Sequence, residues 1–170
     1  RKTDGAQLAA LGVASKPSFL WTRTFSPMGN AKVTAPFAEH RTYVYQGRTV
    51  DHQDHLGFDL AATKAVEVPA SNDGVVVLAR FFGIYGNAVV VDHGYGLQSL
   101  YGHLSSIRVK EGQAVKRGDV LGRTGDTGLA GGDHLHFSIL LDGRPVDPQE
   151  WWDPHWIRDR IARKLGPALQ

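Results

Sequence analysis

The sequence predicts one domain with an all-β core, a compact antiparallel β-sheet domain with an N-terminal strap and a C-terminal amphipathic helix. Glycine accounts for 20 of the 170 residues, about 12% against a usual share of roughly 7%, and this excess indicates many tight turns. Between residues 35 and 148, short runs rich in Val, Leu, Ile or Tyr alternate with glycines, a pattern typical of short strands. No helical period is sustained there, which favours an antiparallel β domain.

Residues 1–34 form a predicted N-terminal extension. Its segment 4–13, DGAQLAALGV, has the composition of a short helix. The following KPSFLWTRTFSP is interrupted by Pro17 and Pro27 and carries large aromatic side chains. We therefore expect an extended strap that packs across the main domain.

Residues 35–150 form the predicted β domain. The segment RTYVYQGRTVD, residues 41–51, predicts a hairpin with Gln46–Gly47 at its turn. Residues 109–128 place glycines so closely that only very short strands and turns fit between them. Further strands are predicted at residues 66–70, 74–80, 87–94, 97–103 and 134–141.

Residues 151–170 form a predicted helical tail. Asp153 is a suitable N-cap, and Pro154 suits the first helical position. An apolar stripe predicts that one face of the helix packs on the domain, with the basic residues of the tail largely on the wet face. The stripe consists of Trp156, Ile157, Ile161 and Leu165.

Composition excludes several kinds of site and partner. The chain has 19 basic and 17 acidic residues without a basic cluster, so nothing favours a nucleic-acid partner. It has no cysteine, which excludes disulfides and thiolate zinc sites and leaves His, Asp or Glu as ligands for a transition metal. No apolar run approaches the roughly 18 residues of a membrane span. We expect a monomer.

Histidines and aspartates concentrate in two segments that could each supply half of a metal site. His134 and His136 are two apart in a predicted strand, so both point to one face, about 6.6 Å apart. His55 and Asp59 would form a ligand pair on a helix, but Gly57 between them argues against a helix. In an extended strand they would lie about 13 Å apart, too far to share an ion. We therefore expect the chain to bend at Gly57.

The order of several motifs makes a family resemblance specific. HLGFD at 55–59, LYGHLS at 100–105, VKEGQAVKRGDVLGRTGDTG at 109–128 and GGDHLHF at 131–137 resemble the successive motifs of the LytM or lysostaphin-type zinc metallopeptidases, family M23. The resemblance covers residues 35–148. It implies a compact antiparallel β-sheet domain with a groove over one Zn²⁺ ion per chain.

The resemblance also implies roles for five residues. It makes His55, Asp59 and His136 the zinc ligands, and His103 and His134 the two catalytic histidines. Such a site activates water and polarises a carbonyl, while the two histidines move protons. The sequence leaves open which of the two is the general base. The remaining four histidines match no functional position, namely His40, His52, His93 and His155.

The family's substrates are peptide bonds of bacterial peptidoglycan, so we expect a zinc endopeptidase of the periplasm, cell envelope or extracellular space. The motifs look closer to murein endopeptidases than to glycyl-glycine bacteriocins, which favours the bond between D-Ala and diaminopimelate. Four charged residues near the motifs could bind such a charged cross-link at the rim of the groove. They are Lys64, Arg123, Asp126 and Asp133.

Three alternatives accompany this prediction. Some relatives have lost ligands and act as activators of cell-wall amidases. A biotin- or lipoyl-carrier module resembles the glycine-turn segment, but it requires an exposed lysine flanked by methionines, and Met28 is the only methionine. The N-terminal extension could be inhibitory, with Asn30 reaching the metal. One departure from the family is Lys64–Ala65, where many members have a glycine.

Overall fold

A computed structural model of the chain describes residues 2–166, which consist mainly of antiparallel β-structure. The helical elements are α1 (Lys2–Val13), a 3₁₀ turn (Gly83–Tyr85), α2 (Pro148–Trp152), α3 (Pro154–Trp156), a π-helical stretch (Ile157–Ala162) and α4 (Arg163–Leu165). The strands are β1 (Lys32–Ala35), β2 (His40–Tyr45), β3 (Arg48–Asp54), β4 (Phe58–Ala61), β5 (Glu67–Pro69), β6 (Gly74–Phe81), β7 (Asn87–Gly94), β8 (Leu97–Leu104), β9 (Ser106–Ile107), β10 (Ala114–Val115), β11 (Val120–Arg123), β12 (Leu135–Leu141) and β13 (Arg144–Val146).

Most strands join one large sheet in the order β1-β4-β12-β8-β7-β6-β10, with β13 paired to β12. Every pairing in it is antiparallel, which confirms the predicted fold class. Strands β5, β11 and β9 form a three-stranded sheet, of which only β11 lies in the closely spaced glycine segment 109–128, while β2 and β3 pair only with each other. The β2–β3 turn has positive φ at Gln46 (48°) and Gly47 (74°), as a two-residue hairpin turn requires.

Strand β12 positions the functional residues because it lies between β4 and β8. Its His136 is opposite Asp59 of β4 and opposite Gly102 of β8, one residue before His103. Alternation along β12 divides its side chains between the two faces of the sheet. Leu135, Phe137 and Ile139 join the main hydrophobic core, as predicted for Leu135 and Phe137. His136, Ser138 and Leu140 occupy the opposite face.

The N-terminal extension contacts both faces of the sheet. Helix α1 packs through Leu8 into a second, smaller core with Leu100 and Leu140, on the same face as His136. Residues 14–31 cross to the other face, where Trp21 and Met28 are buried in the main core. The predicted helix and strap are therefore both present.

The C-terminal segment closes the main core. Asp153 caps α3 by accepting a hydrogen bond from His155 N at 2.8 Å, with Pro154 in the first turn, as predicted. Trp151 of α2 and Ile157 are buried in the main core. Leu165, the last residue of the predicted apolar stripe, is 38% exposed. Residues 167–170 of the predicted tail lie outside the described residues. Within residues 2–166, no helix is both long and apolar enough to cross a membrane.

Candidate metal centre and active site

Three side chains converge on one point at the edge of β4 and β12. His55 Nε2 lies 2.9 Å from Asp59 Oδ1 and 3.1 Å from His136 Nδ1, and the last two atoms are also 3.1 Å apart. All three residues are buried. Within residues 2–166, this is the one group of three or more His, Asp or Glu side chains whose ligand atoms all lie within 4.8 Å of one another.

The segment 55–57 brings His55 and Asp59 together by leaving the β3 strand and turning into β4. The chain bends at Gly57 as predicted, and it does so without a positive φ. The role of Gly57 is close approach, because a Cβ at this position would lie 2.6 Å from Phe137 O and 2.7 Å from His136 Cε1. Any side chain at residue 57 would push the bend away from β12 and separate the ligand atoms.

Outer hydrogen bonds fix which nitrogen each histidine turns inward. His55 Nδ1 donates to Pro36 O at 2.9 Å, and His136 Nε2 donates to Ser138 Oγ at 3.0 Å. Ser138 Oγ in turn donates to Leu56 O at 2.7 Å. In the neutral imidazoles the inner nitrogens therefore carry lone pairs, which is the arrangement that metal-binding histidines adopt.

This donor set fits zinc. Two imidazole nitrogens and one carboxylate oxygen are typical zinc ligands, and three protein ligands leave a fourth position open. Tetrahedral zinc with ligands at roughly 2.0–2.2 Å places ligand atoms about 3.3–3.6 Å apart. The observed separations of 2.9, 3.1 and 3.1 Å are shorter than that spacing by about 0.2–0.7 Å.

The second oxygen of Asp59 is held by Arg41. Arg41 Nη2 lies 2.8 Å from Asp59 Oδ2, and its Nε lies 3.0 Å from Glu39 Oε2. Burial disfavours the charged carboxylate, but contacts with three histidines and Arg41 outweigh burial and hold the pKa of Asp59 well below its usual range. Asp59 is therefore ionised throughout the range in which histidines titrate.

His103 and His134 flank the triad with their Nδ1 atoms tied to the backbone. His103 Nδ1 donates to Thr127 O and His134 Nδ1 to Gly132 O, both at 2.8 Å. Their ring centroids are 4.8 Å apart, and His134 Nε2 lies 3.5 Å from Asp59 Oδ1. Both side chains thus keep Nε2 for the site, and His134 and His136 share one face as predicted.

The two flanking histidines differ in their environments. Burial lowers the pKa of His103 to about 4, whereas the carboxylate of Asp59 raises the pKa of His134. His103 also has a φ of 62° at the end of β8, a left-handed conformation that is rare for residues other than glycine. Such strain is common at functional sites.

A cavity of about 220 Å³ opens beside the triad. Its polar walls include Asp4 of α1, Arg41 of β2 and Asp54 of β3, while Leu8 and Leu129 supply apolar surface. Tyr85 also lines it, with its ring centroid 5.4 Å from that of His136. Helix α1 is therefore a wall of the cavity.

The charged residues expected at the rim of the groove lie outside the cavity. None of the four expected rim residues, Lys64, Arg123, Asp126 and Asp133, lines the cavity. Asp133 Oδ2 accepts from Ala65 N at 3.1 Å, and Arg123 Nη1 donates to Ala65 O at 2.8 Å. Both side chains therefore bind the backbone of Ala65. Asn30 is exposed and is not among the cavity residues.

The other histidines lie away from the triad. His93 is fully buried in β7 and contacts Asp73 O and Ser99 Oγ at 2.7 and 2.8 Å. His40 and His52 lie on the exposed β2–β3 hairpin, and His155 is exposed on α3. The residues that sequence reasoning missed are Arg41, Tyr85 and Ser138. Of these, only Ser138 had a local signal, since it follows His136 by two positions on one strand face.

Comparisons with known proteins relate the chain to a family of peptidases. Residues 53–148 match the sequence model of peptidase family M23. The chain is 37% identical over 147 residues to the DD-carboxypeptidase/endopeptidase Mpg of Neisseria meningitidis, covering 85% of this chain and 30% of that protein. It is 40% identical over 95 residues to the murein hydrolase activator EnvC of Escherichia coli, covering 56% of this chain and 23% of EnvC.

A solved structure shares the fold. The crystal structure of a zinc-containing peptidase from Vibrio cholerae superposes with a TM-score of 0.61 at 34% identity, covering 77% of this chain and 40% of that one. The two sequence relatives are much longer than this chain, which spans about a third or less of the Neisseria protein and of EnvC.

Proposed function

Because the chain belongs to peptidase family M23, we propose that it is a zinc-dependent endopeptidase that hydrolyses peptide cross-links of bacterial peptidoglycan. The observation that carries the proposal is the convergence of His55 Nε2, Asp59 Oδ1 and His136 Nδ1 within 3.1 Å of one another. His103 and His134 flank this triad. A triad with an open fourth position and nearby proton carriers suits hydrolysis better than structural metal binding.

The three triad residues would hold one zinc ion per chain. When bound, the ion supplies a Lewis acid that activates water and polarises the scissile carbonyl. The chain keeps the ligands in place through the hydrogen bonds from His55 to Pro36 O and from His136 to Ser138. These contacts hold each ring in the tautomer that offers a lone pair to the site.

His103 and His134 would carry the protons. Each has Nδ1 fixed to a backbone carbonyl, so Nε2 is the atom that exchanges a proton with water or with the leaving amine. One side chain takes the proton of the attacking water and the other donates a proton to the amine. Environments that push two pKa values apart, as they do here, are typical of acid–base pairs.

We propose the bond between D-Ala and diaminopimelate as the substrate bond. The relative Mpg is named a DD-carboxypeptidase/endopeptidase, which supports this choice. The cavity walls carry Asp4, Arg41 and Asp54, and a cross-link with an additional charged centre needs polar partners of this kind. A substrate in the cell wall implies action in the periplasm, in the cell envelope or outside the cell. We propose that it acts as a monomer.

Digestion of purified muropeptides tests the proposal. The zinc-loaded protein is incubated with dimeric diaminopimelate-type muropeptides and, separately, with pentaglycine, and the fragments are analysed by mass spectrometry. Monomer release that stops with a chelator and returns with zinc is the expected result. Cleavage of pentaglycine alone would contradict the proposed bond.

A second candidate is activation of cell-wall amidases, because the similarity to EnvC covers 56% of this chain. The complete triad favours the peptidase. Purified amidase with and without the protein distinguishes the two: an activator raises amidase turnover and releases no muropeptide monomers itself. The carrier alternative has no support, since Met28 is buried in the main core.

A further inference from the structure

We propose that Arg41 is a positioning residue that sets how Asp59 binds the metal. A carboxylate can offer one oxygen or both to an ion, and these two modes leave different room for water. Asp59 turns Oδ1 toward His55 and His136, while Oδ2 is held by Arg41 Nη2 at 2.8 Å. Arg41 would thus keep Oδ2 of Asp59 from binding the ion, so that Asp59 would supply one oxygen only. This inference rests on the proposed zinc site.

The guanidinium is well placed for this role because two carboxylates hold it. Its Nε contacts Glu39 Oε2 at 3.0 Å while Nη2 contacts Asp59. Arginine presents its donors in a rigid plane, so two anchored nitrogens fix the direction of the bond to Asp59 more firmly than one flexible ammonium could. The Arg41 side chain is 31% exposed, whereas that of Asp59 is only 10% exposed.

Arg41 and Asp59 contact each other from two different sheets. Arg41 lies on β2, outside residues 53–148 that match the family model. The β2–β3 hairpin forms its own two-stranded sheet, and Arg41 links this hairpin to the metal centre on the main sheet. The Arg41 side chain therefore connects the hairpin, which forms a wall of the cavity, to the proposed metal ligand Asp59.

The charge of Arg41 could oppose a cation, so its two effects must be weighed. A positive charge a few ångströms from a dication repels it, which would weaken metal binding. Glu39 offsets that repulsion because it lies as close to the guanidinium as Asp59 does. Together the Glu39 and Arg41 side chains carry no net charge. The remaining effect of Arg41 on the site is its directed hydrogen bond to Asp59 Oδ2. Hydrogen bonds of this kind to metal ligands commonly change metal affinity about 10–100-fold.

The double variant Glu39→Gln/Arg41→Met removes the neutral pair without changing the net charge. Zinc affinity is measured by competition with a chromophoric chelator, and the coordination number is read from the visible absorption of the cobalt(II)-loaded protein. Arg48→Met changes an exposed arginine on the same hairpin and is the matched control. Arg41→Lys keeps the charge but replaces the rigid planar guanidinium with one flexible ammonium.

We expect the double variant to bind zinc at least tenfold more weakly than wild type and Arg48→Met. Its cobalt form should absorb less strongly, since a second carboxylate oxygen raises the coordination number. Arg41→Lys should recover part of the affinity, and circular dichroism without metal verifies that each variant is folded. Affinity within twofold of wild type together with an unchanged cobalt spectrum would overturn the role of Arg41. Failure of the wild-type protein itself to bind zinc would instead overturn the proposed function.

Discussion

His55 Nε2 lies 3.1 Å from His136 Nδ1 although 81 positions separate the two residues in the chain. The sheet and the outer hydrogen bonds bring these atoms together, so the ligands are ordered by the fold itself. We therefore expect the zinc-free protein to stay folded, unlike small zinc domains that unfold without metal. Near-ultraviolet circular dichroism and urea unfolding with a chelator check this. Zinc at 100 times its Kd should add about 2.7 kcal/mol to the free energy of unfolding, and loss of the tertiary signal on chelation would contradict a preformed site.

Substitution of the two histidines around β12 should separate metal binding from turnover. His136→Ala is expected to lose zinc because it removes one of three ligands. His134→Ala should keep zinc and lose about 10²–10⁴-fold in turnover, since it removes proton transfer and leaves coordination intact. Metal content is measured by mass spectrometry on dialysed protein and turnover on dimeric muropeptides. Equal zinc loss in both variants would refute the division of roles.

His93, which lies away from the metal centre, should make the folded protein less stable as the pH falls. Burial lowers the pKa of His93 to about 4 in the folded protein, against about 6.5 in an unfolded chain. Between these values the unfolded state binds more protons, so this contribution is complete above pH 6.5 and is lost as pH falls toward 4. The two pKa values predict a loss of about 2 kcal/mol between pH 7.5 and pH 5.

Urea unfolding of wild type and His93→Gln in the same zinc-free buffers isolates this contribution. All other residues are the same in the two proteins, so their contributions cancel in the comparison. We expect the variant to show a smaller fall in stability by about 2 kcal/mol over this interval. Parallel pH profiles for the two proteins would show that His93 is not responsible.

Ala65→Gly should stabilise the protein. Ala65 has a φ of 54°, in the left-handed region that glycine occupies without steric cost. We expect a gain of about 1 kcal/mol. Ala114→Gly is the control, because Ala114 lies in β10 without a positive φ and should lose about 0.5–1 kcal/mol. Destabilisation by both changes would rule out strain at Ala65.

The same reasoning applies to His103, whose φ is 62°. His103→Gly should be more stable than His103→Ala by about 1 kcal/mol, since alanine keeps the left-handed strain and glycine relieves it. At His134, which has no positive φ, the order of the two substitutions should reverse. Thermal unfolding of the four variants measures this, and the same order at both positions would argue against stored strain.

Local patterns in the sequence predicted the strands, the hairpin turn and the capped C-terminal helix because each depends on neighbouring residues. The partners of Asp59 are harder to predict, since His136 is 77 positions away and Arg41 is 18 positions away. Spacing alone gave two half-sites, and the family resemblance supplied their assembly. Arg41 matched no motif because its role depends on how the hairpin packs against the main sheet. The bend at Gly57 followed from the spacing of His55 and Asp59, but the crowding of Gly57 by β12 leaves no trace in the local sequence.

Different segments carry the reacting groups and the walls of the cavity. The triad lies on β12, β4 and the bend before β4, whereas α1, the β2–β3 hairpin and the residues after β12 enclose the space beside it. Apart from Arg41, which holds Asp59, those walls lie outside the strands that carry the triad, so they can be lengthened, shortened or exchanged while the ligand spacing is preserved. The scaffold is therefore modular. The residues that line the cavity, and with them the preferred substrate, can change while the three triad residues stay the same.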